Sequence, residues 1–169
     1  MTWTSGAGQS GIYVNTIIEL LKQTTTSGNT TGLLNASHKI ALHNSASLTA
    51  GTSPLNWDVA APVTWVNTGE VSGTGWAAGG LTFTAAGMGT PTLTVSPSGT
   101  LMYDSADVSV ASTTLTNARG CILYMDPVTA TLTDAMIVAV CFGADFSTNN
   151  GTFGITWAST GIAGLDLTP

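Results

Sequence analysis

The spacing of apolar positions changes once along the chain. Over residues 11–23, GIYVNTIIELLKQ, Tyr13, Ile17, Leu20 and Leu21 recur at three- and four-residue intervals, which predicts an amphipathic helix. Val14 and Ile18 widen its apolar face, Ser10 is its N-cap, and Gly28 lies in the breaker that follows. Beyond this point the pattern shortens to alternation or to short continuous runs. KIALH at 39–43 predicts the first strand. VTWVN at 63–67 is a short apolar piece leading to a glycine-rich stretch, and LTFT at 81–84, TLTV at 92–95 and LMYDSADVSV at 101–110 continue the strands, the last with a bend near Asp104. ARGCILYM at 118–125 and AMIVAVCFG at 135–143 are apolar on both faces, as central strands covered on each side require. Phe153, Ile155 and Trp157 alternate onto one face of a late strand. SPSG at 96–99 and Asn149-Asn150-Gly151 read as turns. With about eight strands and one N-terminal helix, the expected fold is mainly β, a sandwich of jelly-roll type. Residues 1–10 read as a flexible arm carrying Trp3, and 11–169 as a single β-sandwich domain with its N-terminal helix.

Two features sharpen this outline. The stretch GEVSGTGWAAGG, Gly69 to Gly80, holds five glycines around a single Trp76. Glycine permits close backbone approach but costs conformational entropy. The expected arrangement is a crossing in which the chain passes close over the sheet while Trp76 pins it to the core. The second feature is a pair of cysteines. A hairpin centred on Thr131 sets Cys121 opposite Cys141, each ten residues away. Two reduced core thiols are expected, because a one-residue slip turns the side chains apart.

Composition narrows the class. Hydrophobic residues make up 43% of the 169, yet charged residues only 7%, against about 25% in ordinary soluble domains. Polarity comes from Thr, Ser, Asn and Gly, which suits a surface that spends its life against partners. Net charge is −6, with Lys22, Lys39 and Arg119 the sole cations. That balance argues against nucleic acid and against anionic membranes, both of which call for clustered basic residues. MTWTSGAGQSG lacks a charged and apolar leader pattern, and no run approaches the roughly 18 apolar residues of a membrane span. Synthesis in the cytosol is the expectation.

His38 and His43, five apart, fall on opposite faces of a strand and so do not chelate together. No G-x-S-x-G elbow and no phosphate loop occurs. The carboxylate pairs Asp104 with Asp107 and Asp126 with Asp134 read as solvated loop acids, although the second pair flanks a loop that could hold calcium weakly. No catalytic residue, metal or cofactor is expected. Arg119, beside a buried strand, is expected to tie polar groups by charged hydrogen bonds.

Three segments together resemble a family of small virion proteins of tailed bacteriophages. Gly69-Glu70-Val71-Ser72-Gly73-Thr74-Gly75-Trp76 with Ala78-Gly79-Gly80 is similar to the family's E-V-x-G-x-G-[aromatic]-x-x-G-G stretch. Thr116-Asn117-Ala118-Arg119-Gly120 running into Ile122-Leu123-Tyr124 is similar to its T-x-A-R strand. Gly151-Thr152-Phe153-Gly154-Ile155-Thr156-Trp157, with Gly161-Ile162 and Leu165, forms the third. The order and spacing fit over most of residues 11–166. The chain departs from the pattern at Cys141-Phe142-Gly143, where related chains tend to carry an acid, and in the unmatched segments 1–10 and 44–62.

The resemblance implies a structural protein and not an enzyme: a decoration, or cement, protein. Such a protein binds the outside of the major capsid protein lattice, as a trimer by analogy, and stabilises the mature head. Its place is the virion surface, after synthesis in the host cytoplasm. A ligand that binds only the assembled lattice stabilises that lattice by mass action. Trp3, Leu55 and Trp57 are the expected partner-interface residues; Gly75, Trp76, Gly79, Arg119 and Trp157 are the expected structural ones. Two other readings stay open, a tail or adsorption protein and a carbohydrate-binding module. The mark of the module would be several of Trp57, Trp65, Trp76 and Trp157 exposed in one flat row; the contrary expectation is that they are buried anchors.

Overall fold

The computed structural model describes residues 11–12, 33–44, 64–95, 100–126 and 134–166. Within these the alternating and continuous apolar runs form strands at Gly11–Ile12 (β1), Lys39–His43 (β2), Glu70–Val71 (β3), Leu81–Thr82 (β4), Thr92–Val95 (β5), Thr100–Asp104 (β6), Val108–Tyr124 (β7), Met136–Ile155 (β8) and Ala163–Asp166 (β9). The protein is mainly β, with two antiparallel sheets and no helix among the described residues. The larger sheet runs β1-β8-β7-β2-β3, with β4 also on β2; the smaller runs β5-β6-β9.

The long hairpin β7–β8 is the spine. Its closed end is buried on both faces: Cys121 and Leu123 lie on one side with Ile40, Leu42 and Val138, while Ile122, Ala41 and Ala139 are buried on the other. This is what the two continuous apolar runs require. Farther along, burial falls to one face, with Val108, Thr113, Leu115, Ala118 and Phe153 turned inward. The core gathers these with Trp76, Phe83, Met88 and Met125, and it includes Tyr103 from the smaller sheet.

Several expectations change. Gly11 and Ile12, the first two residues assigned to the helix, form a strand, with Gly11 opposite Ala139 and Ile12 opposite Val138. The edge of β8 offers a backbone ladder there, and glycine is a poor helix former. The rest of the expected helix, 13–23, lies outside the described residues. Asn149-Asn150-Gly151 is not a turn: β8 runs unbroken through it. A tight two-residue hairpin of the Asn-Gly kind needs positive φ at both central residues. Here only Asn150 has it, at 47°, and the result is a bulge. The thiols also miss one another. The register sets Cys121 opposite Val140 and Cys141 opposite Gly120, one residue from the symmetric pairing. The two are not joined in a disulfide, and burial pushes the Cys121 thiol well above its usual pKa.

The hairpin is irregular in a regular way. From Val110↔Phe153 to Thr113↔Gly151, β7 advances three residues while β8 advances two. The next interval reverses this, and the one ending at Ala118↔Phe146 restores it. These steps coincide with Ser112, Asn150 and Asn117 at φ of 57°, 47° and 58°. Each bulge exposes backbone groups, and neighbouring hydroxyls satisfy them: the Asn150 N–H donates to Thr114 Oγ1 at 3.1 Å, and the Asn117 N–H to Ser147 Oγ at 3.0 Å. The buried Thr113 hydroxyl meets Thr148 Oγ1 at 2.8 Å and Gly151 O at 3.1 Å.

Arg119 plays a smaller part than expected. Its guanidinium pairs with Asp145 at 3.5 Å, with the two side chains 33% and 46% exposed. Such pairs contribute little in water, so Arg119→Ala is expected to lower stability by less than about 1 kcal/mol. A thermal melt of the variant beside the wild type measures this, and a larger loss would restore a structural role for the arginine.

Candidate interaction surface

The glycine stretch is a crossing, and its own carboxylate closes it. Gly73 and Trp76 exchange backbone hydrogen bonds at 2.9 and 3.0 Å, folding Thr74 and Gly75 into a tight loop. Thr74 bridges to Thr114 of β7. A Cβ on Gly73 would stand 2.2 Å from Thr114 O, and one on Gly80 2.4 Å from Ile40 O. Both backbones lie directly on the sheet, where any side chain would collide. A Cβ on Gly75, at φ 75°, would be less crowded, 3.0 Å from Ser112 O, whereas Gly79 at φ 81° faces open space.

Successive N–H groups at Gly79 and Gly80 converge as they would on an anion. The anion they meet is Glu70 Oε1, at 2.7 and 3.0 Å. The Tyr124 hydroxyl donates to Gly79 O, tying the loop to β7. Trp76 is fully buried, its ring edge-on to Phe153 at 5.6 Å, and its indole N–H has no hydrogen-bond partner.

From Trp76 an aromatic series leads outward. Phe153 meets Phe142 at 6.3 Å, and Phe142 meets Phe146 edge-on at 6.0 Å. Phe146 is 49% exposed. A hollow of about 370 Å³ opens here, lined by Phe142, Phe146, Ser147, Thr148, Thr152, Phe153 and Gly154. Its origin is a length mismatch. Between Ala118↔Phe146 and Gly120↔Cys141, β8 spends five residues against two on β7, with Gly143 at φ 77°. The extra backbone brings Phe142 and Phe146 together. Neither phenylalanine stands out by its spacing, so nothing in the hydrophobic pattern signals the hollow.

A second, more open groove of about 460 Å³ is polar, lined by Asn44, Glu70, Val71, Ser72, Thr114, Thr116, Asn117 and Asp145. Its amides and hydroxyls suit hydrogen bonding to a partner. Its carboxylates are engaged, Glu70 by the glycine loop and Asp145 by Arg119. None of its lining residues is a histidine or cysteine.

The remaining candidates are structural where they are seen. Trp157 donates its indole N–H to Ala106 O at 3.1 Å, and its backbone N–H to Asp107 Oδ1 at 3.0 Å, clamping the end of β8 to the β6–β7 connection. Trp65 stacks on Tyr124 at 4.7 Å. Trp65, Trp76 and Trp157 thus do not form an exposed flat row. Trp3, Leu55 and Trp57, the expected partner-interface residues, lie outside the described residues. Lys39 pairs with Asp126 at 2.6 Å, so an ammonium already sits beside the acids that flank the loop after β7. No group of three metal-ligating side chains occurs among the described residues. No protein-family model, no curated protein and no solved structure matches the chain.

Among the described residues, His43 is the most perturbed titratable group within reach of ordinary pH. It is fully buried, and its Nε2 accepts the Trp65 indole N–H at 2.9 Å. Burial lowers its pKa from 6.5 to about 4, with a backbone hydrogen bond at Thr68 working the other way. The unfolded chain therefore binds this proton near pH 6.5, while the native state refuses it until about pH 4. Stability is full above the upper value and falls as pH drops through the window, by about 3 kcal/mol in total. Asp134, whose pKa burial raises, acts with the opposite sign in acid. Denaturation of wild type and His43→Gln at each pH cancels that background. The wild type should lose the extra increment, and parallel curves would refute it.

Proposed function

We propose that the chain is a structural protein of a tailed-bacteriophage virion, bound as a decoration protein to the outside of the capsid. Its partner is the major capsid protein, and its action is to stabilise the expanded lattice by binding only that state. The observation that carries the reading is the mutual packing of the three segments that resemble the family. Thr74 bridges Thr114 next to the second segment, Tyr124 of that segment holds Gly79, and Trp76 of the first packs on Phe153 of the third. Segments far apart in sequence thus form one contiguous unit, as parts of a shared fold should.

Two further features support it. Exposed positions of the β7–β8 ribbon are mostly Thr, Ser, Asn and Gly, with Phe146 among them. Such a surface offers many small polar contacts around an apolar centre, suited to repetition over a symmetric shell. The same reading takes the two sheets as the layers of a jelly-roll sandwich, and a trimer as the bound form. Tyr103 of β6, packed in one core with Ile40, Trp76 and Leu123, favours the layered arrangement.

Copy number tests the assignment. Stained gels of purified virions should show hundreds of copies, and particles lacking the protein should have fragile heads by electron microscopy. A handful of copies per particle would sink decoration and favour a tail position.

A further inference from the structure

We propose that Asn150 is a site of spontaneous modification: its side chain closes a ring with the backbone nitrogen of Gly151, and the aspartate and isoaspartate that result break the register of the β7–β8 ribbon. Asparagine is thermolabile because its side-chain carbonyl carbon lies within ring-forming reach of the next peptide nitrogen. The Gly151 nitrogen gives up its proton to hydroxide and attacks Asn150 Cγ. The new C–N bond closes a five-membered succinimide, and the side-chain nitrogen takes up a proton and leaves as ammonia. Water then opens the ring at one of its two carbonyls. One opening restores the ordinary backbone with an aspartate in place of the asparagine. The other routes the main chain through the former side chain, one carbon longer. The sum is one water taken up and one ammonia released.

Sequence and structure single out this position. A side chain on the following residue hinders the attack, and no other asparagine in the sequence is followed by glycine. Asn150 is exposed, so water and hydroxide reach it. Its φ of 47° takes it out of extended geometry. In the register with β7, Gly151 lies opposite Thr113 and Thr148 opposite Leu115, which leaves Asn149 and Asn150 without a partner on that strand. A regular ladder resists the backbone rotation that ring closure demands, and here the ladder is interrupted. Asn35 and Asn117, by contrast, are each followed by alanine, and Asn35 Oδ1 already accepts the Ser37 N–H at 2.8 Å.

The effect on register follows from what flanks the altered bond. The Asn150 N–H donates to Thr114 Oγ1 at 3.1 Å, and the Thr113 hydroxyl donates to Gly151 O at 3.1 Å. These two bonds bracket the segment that isoaspartate lengthens. An extra carbon between them sets them out of step, in a ribbon whose bulges alternate from strand to strand. Either product also adds a carboxylate to a chain of net charge −6. The inference stands apart from the bacteriophage reading, since it concerns only the covalent chemistry of the chain itself.

The test ages the full-length folded chain in mildly alkaline buffer and follows each asparagine by peptide mass spectrometry. Fragment spectra should place a gain of about one dalton at Asn150 before any other asparagine, with isoaspartate among the products. Gly151→Ala is the control. Beyond its chain neighbours, a Cβ there meets only Asn149 O and Thr148 Cβ, each at 3.9 Å, so the variant fits the native fold. Its methyl group hinders the attack and should slow the modification at least about tenfold. Hydrogen exchange across residues 146–153 should quicken about tenfold in the aged wild type, and not in aged Gly151→Ala. An Asn150 that stays intact while other asparagines change, or that changes equally fast in Gly151→Ala, overturns the proposal. Modification at Asn150 with unaltered exchange overturns its effect on the register.

Discussion

The architecture depends on a contact between bare backbones. At Gly73 and Gly80 the chain lies so close to Thr114 and Ile40 that no side chain fits between. This closeness lets the indole of Trp76 reach the core, and it allows the Tyr124 hydroxyl and the Glu70 carboxylate to close the same loop from either side. The glycine run therefore has a structural reason that offsets its entropy. Its two converging N–H groups do not await a ligand, because a carboxylate nine residues upstream already satisfies them. The segment locks β2 and β7 beneath it, and through Trp76 and Phe153 it also fixes the far half of β8.

The unusual composition has a physical counterpart in the β7–β8 ribbon. A bulge leaves backbone groups without ladder partners, and burying or crowding such groups without hydrogen bonds is costly. Hydroxyls of Thr113, Thr114, Ser147 and Thr148 answer them locally. A surface rich in Thr and Ser thus does more than keep the chain in solution. It allows a two-stranded ribbon to twist and change register repeatedly while its backbone groups keep hydrogen-bond partners. The scarcity of charge fits the same picture, since a short hydroxyl reaches the adjacent strand where a long charged side chain would reach past it.

Much of the strand content was legible in the sequence, because alternation and continuous apolar runs report burial directly. KIALH, TLTV and the two runs that flank the loop after Tyr124 all fold as strands. The burial of Trp76 and the crossing role of its glycines were legible for a similar reason, as only close approach justifies so many of them. Register was not legible. It depends on where bulges fall, and a bulge is a balance of local hydrogen bonds and not a pattern of hydrophobicity. That is why Asn149-Asn150-Gly151 resembled a turn and why the symmetric pairing of Cys121 with Cys141 gave way to the one-residue slip on which the expectation of two reduced thiols rested. The hollow at Phe142 and Phe146 was hidden on the same ground, since it exists through surplus length in one strand. Arg119 was misjudged because its neighbours in sequence are buried while its own side chain turns toward Asp145 and solvent.

The alternation of bulges has a consequence for how this chain tolerates change. Ser112, Asn150 and Asn117 act in turn on opposite strands, so each nearly cancels the displacement of the one before. The two strands behave like a toothed rack and its mate, meshing in one setting. Sliding one past the other by a residue would misalign every tooth at once. Substitutions at exposed positions of the ribbon can therefore accumulate freely, whereas a single residue inserted or deleted within 110–118 or 146–153 cannot be absorbed where it occurs. Variation in this protein should run along the chain by replacement, with changes in length confined to the connections outside the ribbon.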